Sequence, residues 1–102
     1  MNTKLPIALL LASVATSSAH AQMADTAAGA RRAAVCFACH GGNGHAKVPG
    51  YPNLAAQDRQ YLEKQLRAFR DGQRKDPTMS AMSAPLSDAD IANIAAYFST
   101  QE

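Results

Sequence analysis

Two thiols, Cys36 and Cys39, stand two residues apart, and an imidazole, His40, follows the second directly. C-x-x-C-H is the attachment signature of c-type haem. The two intervening residues, Phe37 and Ala38, let the thiols reach two neighbouring vinyl groups and add to them as thioethers. The adjacent histidine then lies under the iron as an axial ligand. Cys36 and Cys39 are the only cysteines in the chain, so the motif uses both. Three other chemistries use part of this pattern. A structural zinc site wants four ligands, and the remaining histidines are only His20 and His45. A redox dithiol sits beside a βαβ pattern that this sequence lacks. A disulfide across two residues would close a small, weakly stabilising loop. One covalent haem c, with its iron, is therefore the expected cofactor.

The N-terminus agrees with that chemistry. Lys4 supplies a positive start, Leu5 to Val14 a short apolar run, and Ala19-His20-Ala21 a small-x-small cleavage site, so residues 1–21 read as a secretory signal. The run is too short for a permanent membrane span, and no integral membrane protein is expected. Cleavage after Ala21 leaves residues 22–102 as one domain in the periplasm, where bacterial haem attachment takes place. Removal of Lys4 lowers the formal net charge from +2 to +1, a near-neutral balance that argues against nucleic acid as a partner. A domain this small builds a thin core and needs a staple. A buried porphyrin is such a staple.

The elements that must position the motif are helical, and the expected class is all-α with three main helices. The first runs from about Asp25, a plausible N-cap, into Cys39. A loop rich in Gly, Pro and Asn, Gly41 to Gln57, is long enough to need a job, and wrapping one haem face is such a job. The second helix covers about Asp58 to Asp71, with Leu62, Leu66 and Phe69 as an apolar stripe and Gly72 as C-cap. A second loop, Gln73 to Leu86, holds two methionines and two prolines. The last helix runs from Ser87, with Asp90 three residues on, to about Ser99, and buries Ile91, Ile94, Ala95 and Phe98.

With these pieces in order, the chain resembles the small bacterial class I cytochromes c. The likeness rests on Cys36-Phe37-Ala38-Cys39-His40-Gly41, on Pro52-Asn53-Leu54-Ala55-Ala56-Gln57, and on Tyr61-Leu62-x-x-Gln65-Leu66-x-x-Phe69-x-x-Gly72-x-Arg74. It closes with Met79-Ser80-x-Met82 and with Leu86-Ser87-Asp88-x-Asp90-Ile91 through Ala96-Tyr97-Phe98. The same pattern occurs singly in monohaem carriers and twice in their tandem dihaem relatives. The family often has glycine where Ala56 stands.

The resemblance implies the class I cytochrome c fold and a second axial ligand in the loop before the last helix. Met79 and Met82 both stand there; the family arrangement points to Met79, with Met82 as a packing residue and the fallback ligand. A thioether ligand raises the potential of a c-type haem. The resemblance also assigns the Pro52 carbonyl to the other ring nitrogen of His40, with Pro49 as fallback. It gives Gly29 the crossing of the first and last helices, with the Tyr97 or Phe98 ring packed over it. His45 is expected as an exposed loop residue. Arg67, Arg70 and Arg74 share one side of the second helix, expected as a solvated face balanced by Glu63 and Asp71. The small residues Gly42, Gly44, Ala81, Ser83 and Ala84 suggest a smooth, weakly charged docking surface at the haem edge.

The function these readings imply is a monomeric, periplasmic single-electron carrier between redox proteins, a larger dehydrogenase or oxidase among the candidate partners, with iron cycling between ferrous and ferric states and no enzymatic chemistry of its own. A permanent haem subunit of a larger oxidoreductase shares the same chemistry. A peroxidase or a gas sensor would need an open axial position, against which the Met79 loop argues.

Overall fold

The computed structural model describes residues 2–13 and 23–102. The expected cleavage site, Ala19-His20-Ala21, lies outside the described residues. Five α-helices are present among the described residues: α1 (Thr26–Arg32), α2 (Phe37–His40), α3 (Arg59–Asp71), α4 (Pro77–Ser83) and α5 (Asp88–Ser99). There is no strand among the described residues, and no helix among them is long and apolar enough to cross a membrane. The all-α class stands as read from the sequence.

Every α-helix but α2 begins at a side-chain cap. The Asp25 carboxylate accepts from the Ala28 N–H at 3.0 Å, Asp58 from Tyr61 at 2.8 Å, and Ser87 Oγ from Asp90 at 3.0 Å. Asp90 returns the favour by accepting from the Ser87 N–H at 3.0 Å, which completes a capping box. Gly72 ends α3 in the left-handed conformation (φ 83°), where a side chain would be strained.

Two expectations change. The first helix is not continuous: between α1 and α2 the chain tightens into a 3-10 turn over Ala33–Cys36. Such a change of pitch within a helical run commonly marks a functional position, and here it delivers Cys36. The second loop is not all loop, because α4 occupies seven of its residues. Asp76 accepts from the N–H groups of Thr78 (3.0 Å) and Met79 (2.8 Å), and Pro77 takes the first helical position. Proline there loses no hydrogen bond, since that N–H has no intrahelical partner.

The packed core is Ala33, Leu62, Leu86, Ile91, Ile94, Ala95 and Phe98. The face expected of the last helix (Ile91, Ile94, Ala95, Phe98) is buried throughout. Helices α1 and α5 cross at Gly29, where an added Cβ would come within 1.9 Å of the Asn93 carbonyl oxygen. The crossing is as expected, but the neighbours are backbone atoms of Asn93 and Ile94 rather than an aromatic ring. The Asn93 side chain also accepts from the Asp25 N–H at 2.8 Å, tying the start of α1 to α5. Tyr97 and Phe98 pack instead with Phe37, at ring separations of 6.0 and 6.3 Å.

Arg70 bridges α3 to the start of α5. It donates to the Leu86 carbonyl and pairs with Asp71 at 2.9 Å and Asp88 at 2.8 Å. Those hydrogen bonds hold the guanidinium proton more firmly and the Asp71 carboxyl below its ordinary range. Arg67 contacts Glu63. Arg74 lies beyond Gly72 and off the helix, so the three arginines do not form one face.

Candidate functional site

Cys36 ends the 3-10 turn, and Cys39 and His40 end α2. Positions i, i+3 and i+4 share one side of a helical run, and all three residues line a single cavity of about 560 Å³. That volume falls within the roughly 300–1,000 Å³ usual for cofactor and ligand pockets. Leu62, Leu66 and Phe69 of α3 wall it on one side, and Ile94, Ala95 and Phe98 of α5 form its base. Met79 and Met82 reach it from α4.

His40 is buried, and its Nδ1 stands 2.8 Å from the Pro52 carbonyl oxygen. A carbonyl only accepts, so Nδ1 carries the proton and donates. Nε2 is then left with its lone pair, the tautomer a metal-ligating imidazole needs. The bond is made to Pro52, not to Pro49. The Tyr51 ring stands edge-on to the imidazole at 6.0 Å. Next to His40 the chain turns at Gly41 (φ 81°), where a Cβ would lie 2.0 Å from the His45 carbonyl oxygen. The loop is then closed on itself: Gly44 O accepts from Leu54 and Ala55 at 2.7 and 3.0 Å, and Tyr97 donates its hydroxyl to the Gly42 carbonyl. His45 is exposed and bonds the main-chain oxygen of Glu102 at 2.6 Å, away from the cavity.

The two methionines differ. Met79 is half-buried, and its N–H is fixed by Asp76. Met82, one turn on, is 43 % exposed. Burial pushes the Cys36 thiol upward, against a smaller lowering by Arg32. Two thiols, an imidazole nitrogen and two thioether sulfurs around one apolar cavity fit a covalently held haem.

Two residues expected at the surface lie inside. Gly44 is buried, because a Cβ there would meet the Ala55 backbone at 2.6 Å. Ser83 is fully buried and its hydroxyl has no partner. The docking surface cannot include either, whereas Ala81 and Ala84 are exposed as expected. Tyr51, Tyr61 and Gln65 also line the cavity; Tyr61 and Gln65 carry part of the family likeness, but none of the three was given a site role, since isolated polar or aromatic residues in loops and on helix edges give no periodic signal.

The cytochrome c family profile matches residues 24–102. The chain is 46 % identical over 99 residues to cytochrome c4 of Pseudomonas aeruginosa, covering 97 % of this chain and 49 % of that protein. It is 51 % identical over 81 residues to cytochrome c-554(548) of Halomonas halodenitrificans, covering 76 % of this chain and 98 % of that one. Among solved structures, reduced recombinant cytochrome c4 from Pseudomonas stutzeri superposes with a TM-score of 0.73 at 43 % identity, over 78 % of this chain and 46 % of the other. The chain thus spans about half the length of the cytochrome c4 relatives it matches. It belongs to the cytochrome c family, with the class I all-α fold, and its cofactor is covalently bound haem c.

Proposed function

We propose that the chain is a single-electron carrier of the periplasm, exported by a signal at residues 1–21, with Cys36 and Cys39 as thioether attachment points and His40 and Met79 as axial ligands. The observation that carries this reading is the cavity that gathers both thiols, the imidazole and Met79. When bound, the haem supplies a one-electron ferric/ferrous couple. The chain's own residues do the rest. Pro52 holds the His40 ring in the ligating tautomer, Asp76 fixes the backbone that presents Met79, and Ile94 and Phe98 exclude water from below. Met79 is favoured over Met82 because it is the less exposed and its helix start is pinned. If His40 and Met79 both hold the iron, they would leave no open position for a substrate, and the chain would work without enzymatic chemistry of its own.

Partners are redox proteins. Val35, Tyr51, Tyr61 and Met82 are large apolar residues, each more than two-fifths exposed, and all four line the cavity. An apolar rim around a cofactor edge suits a small, short-lived contact. The same rim supports a second reading, a haem subunit held in a larger oxidoreductase. The absorption spectrum tests the ligation: a methionine–ferric haem bond gives a weak band near ~700 nm, expected in the native protein and absent in Met79→Ala. Persistence of the band in Met79→Ala would move the ligand to Met82. Its absence from the native protein, with rapid carbon monoxide binding, would overturn the carrier reading.

A further inference from the structure

Among the described residues only two polar side chains are buried, His40 and Ser83. His40 is accounted for, because its ring N–H donates to the Pro52 carbonyl and leaves the other nitrogen for the iron. Ser83 is not. It has no exposed surface, and its hydroxyl has no hydrogen-bond partner. A hydroxyl taken from water without a replacement bond costs free energy, and native folds rarely leave one so. Such a group calls for a partner that comes into reach only when the cofactor is bound.

The place of Ser83 in the fold narrows what that partner is. It is the last residue of α4, four after Met79, so the two share one side of the helix. A helical side chain leans over the turn N-terminal to its own Cα, and for Ser83 that turn carries Met79 and Ser80. Ser80 is already engaged: its carbonyl accepts from the Ala84 N–H at 3.1 Å, and its Oγ accepts from the Asp76 N–H at 3.2 Å. Met79 lines the cavity and Ser83 does not, so the link from Ser83 to the site runs through Met79. A thioether sulfur has two lone pairs, and ligation of a metal uses one of them.

We propose that Ser83 is the positioning residue of the axial thioether: its hydroxyl donates to the Met79 sulfur in the haem-loaded protein and turns the sulfur's other lone pair to the iron. The inference rests on the reading of Met79 as axial ligand. Pro52 and Ser83 then play matching parts, each orienting one axial ligand through one hydrogen bond. A thioether is a weak acceptor, but in surroundings without water even a weak bond discriminates between orientations. A hydrogen bond to the sulfur also draws electron density from it. The ferric state needs that density more than the ferrous, so the bond holds the reduction potential up.

The test compares the haem-loaded native protein with Ser83→Ala. Ser99→Ala, which removes a hydroxyl bonded to the Ala96 carbonyl on α5, is the control. Three quantities are read: the far-red band, the midpoint potential at one pH and ionic strength, and the affinity of the ferric protein for imidazole, which competes with the thioether for the iron. Ser83→Ala is expected to weaken the band, lower the potential and tighten imidazole binding on the order of threefold, the worth of one modest hydrogen bond. Ser99→Ala should move none of them. All three unchanged in Ser83→Ala would overturn the proposal, whether the variant gains stability or loses it. A second measurement needs no variant: proton NMR of the reduced native protein should show an Overhauser contact between the Ser83 β protons and the Met79 methyl, and its absence overturns the proposal as well. The native spectrum keeps the two questions apart. A native band that persists in Ser83→Ala at unchanged potential rejects Ser83 and leaves methionine ligation standing. A native protein without the band, or a band that survives Met79→Ala, overturns both.

Discussion

The two sides of this small domain are built to different standards. Where α1, α3 and α5 meet, Ala33, Ile91 and Ala95 have no exposed surface, Phe98 is 1 % exposed, and helix backbones touch at Gly29. On the cavity side, Leu54, Leu66, Phe69 and Met79 are only half-buried, and Met82 stands largely open. The first side is complete in protein atoms alone. The second is shaped for a partner that is not protein, and its apolar residues gain their burial only when that partner is present. A domain of this size cannot spare half its core, so the haem is a structural element as much as a redox one.

The largest expected effect follows directly. With both attachment thiols replaced, Cys36→Ser and Cys39→Ser, the haem is lost and the cavity side has nothing to pack against. The expected outcome is the disappearance of a cooperative thermal transition in circular dichroism at 25 °C and above. A double variant melting cooperatively at the temperature of the haem-loaded protein would show that the cavity side supports itself, and the contrast between the two sides would fail.

Side-chain truncation sharpens the same contrast. Phe98→Ala removes a fully buried ring at the junction of both sides and should cost about 3–5 kcal/mol. Met82→Ala, at an exposed position, should cost under ~1 kcal/mol, within the range of ordinary surface changes. Denaturant unfolding of the haem-loaded proteins measures both. Similar losses at the two positions would mean that Met82 is buried in the loaded protein, which would bring it back as an axial ligand.

Acid should act on the packed side through its caps. The backbone hydrogen bond from Ser87 is the main cause of the depression of the Asp90 carboxyl, with Ser87 Oγ and Arg32 adding to it. A carboxyl depressed in the folded state gives its stabilisation above the unfolded value, about 3.9, and loses it as pH falls through the lower folded value. Melting temperatures recorded from pH 6 down to pH 3 should therefore fall in the acid range, and Asp90→Asn should flatten that fall while lowering stability at pH 6. An unchanged acid slope in Asp90→Asn would place the acid-sensitive group elsewhere.

The packed side was the more legible in sequence, for a physical reason. Its residues repeat with the helix period and its helices start at Asp25, Asp58 and Ser87, where a short polar side chain has orphan N–H groups to satisfy. The C-x-x-C-H motif was legible because covalent chemistry constrains spacing as strictly as a helix does. The cavity side hid α4, although Asp76-Pro77 is an N-cap followed by a proline that suits the first turn. Seven residues are too few for periodicity to register, and the second proline, Pro85, reads as a loop signal. The break in the first helix was invisible because alanine, valine and cysteine over Ala33–Cys36 favour neither pitch. Ser83 and Gly44 read as surface by composition, yet packing against neighbours distant in sequence buries both. Arg74 falls off the helix because Gly72 ends α3 two residues earlier, which its spacing from Arg67 and Arg70 alone does not show.

Ala56 joins the two sides and gives the smallest and most discriminating expectation. Its N–H donates to the Phe98 carbonyl at 3.2 Å, tying the haem-side loop to α5. It is also the only non-glycine with positive φ (59°) among the described residues, at the position where the family often carries glycine. A left-handed alanine costs about 1–2 kcal/mol. Glycine removes that cost but loses roughly 0.5–1 kcal/mol through its freer unfolded chain. Ala56→Gly should therefore stabilise the haem-loaded protein by about 0.5 kcal/mol, read as a small rise in denaturant midpoint at unchanged slope, with the spectrum unaltered. A loss of stability would mean that the methyl group of Ala56 packs against the bound haem or its loop strongly enough to outweigh backbone strain. The boundary between the self-sufficient side and the haem-dependent side would then run through Ala56 itself, two residues before Asp58 caps α3.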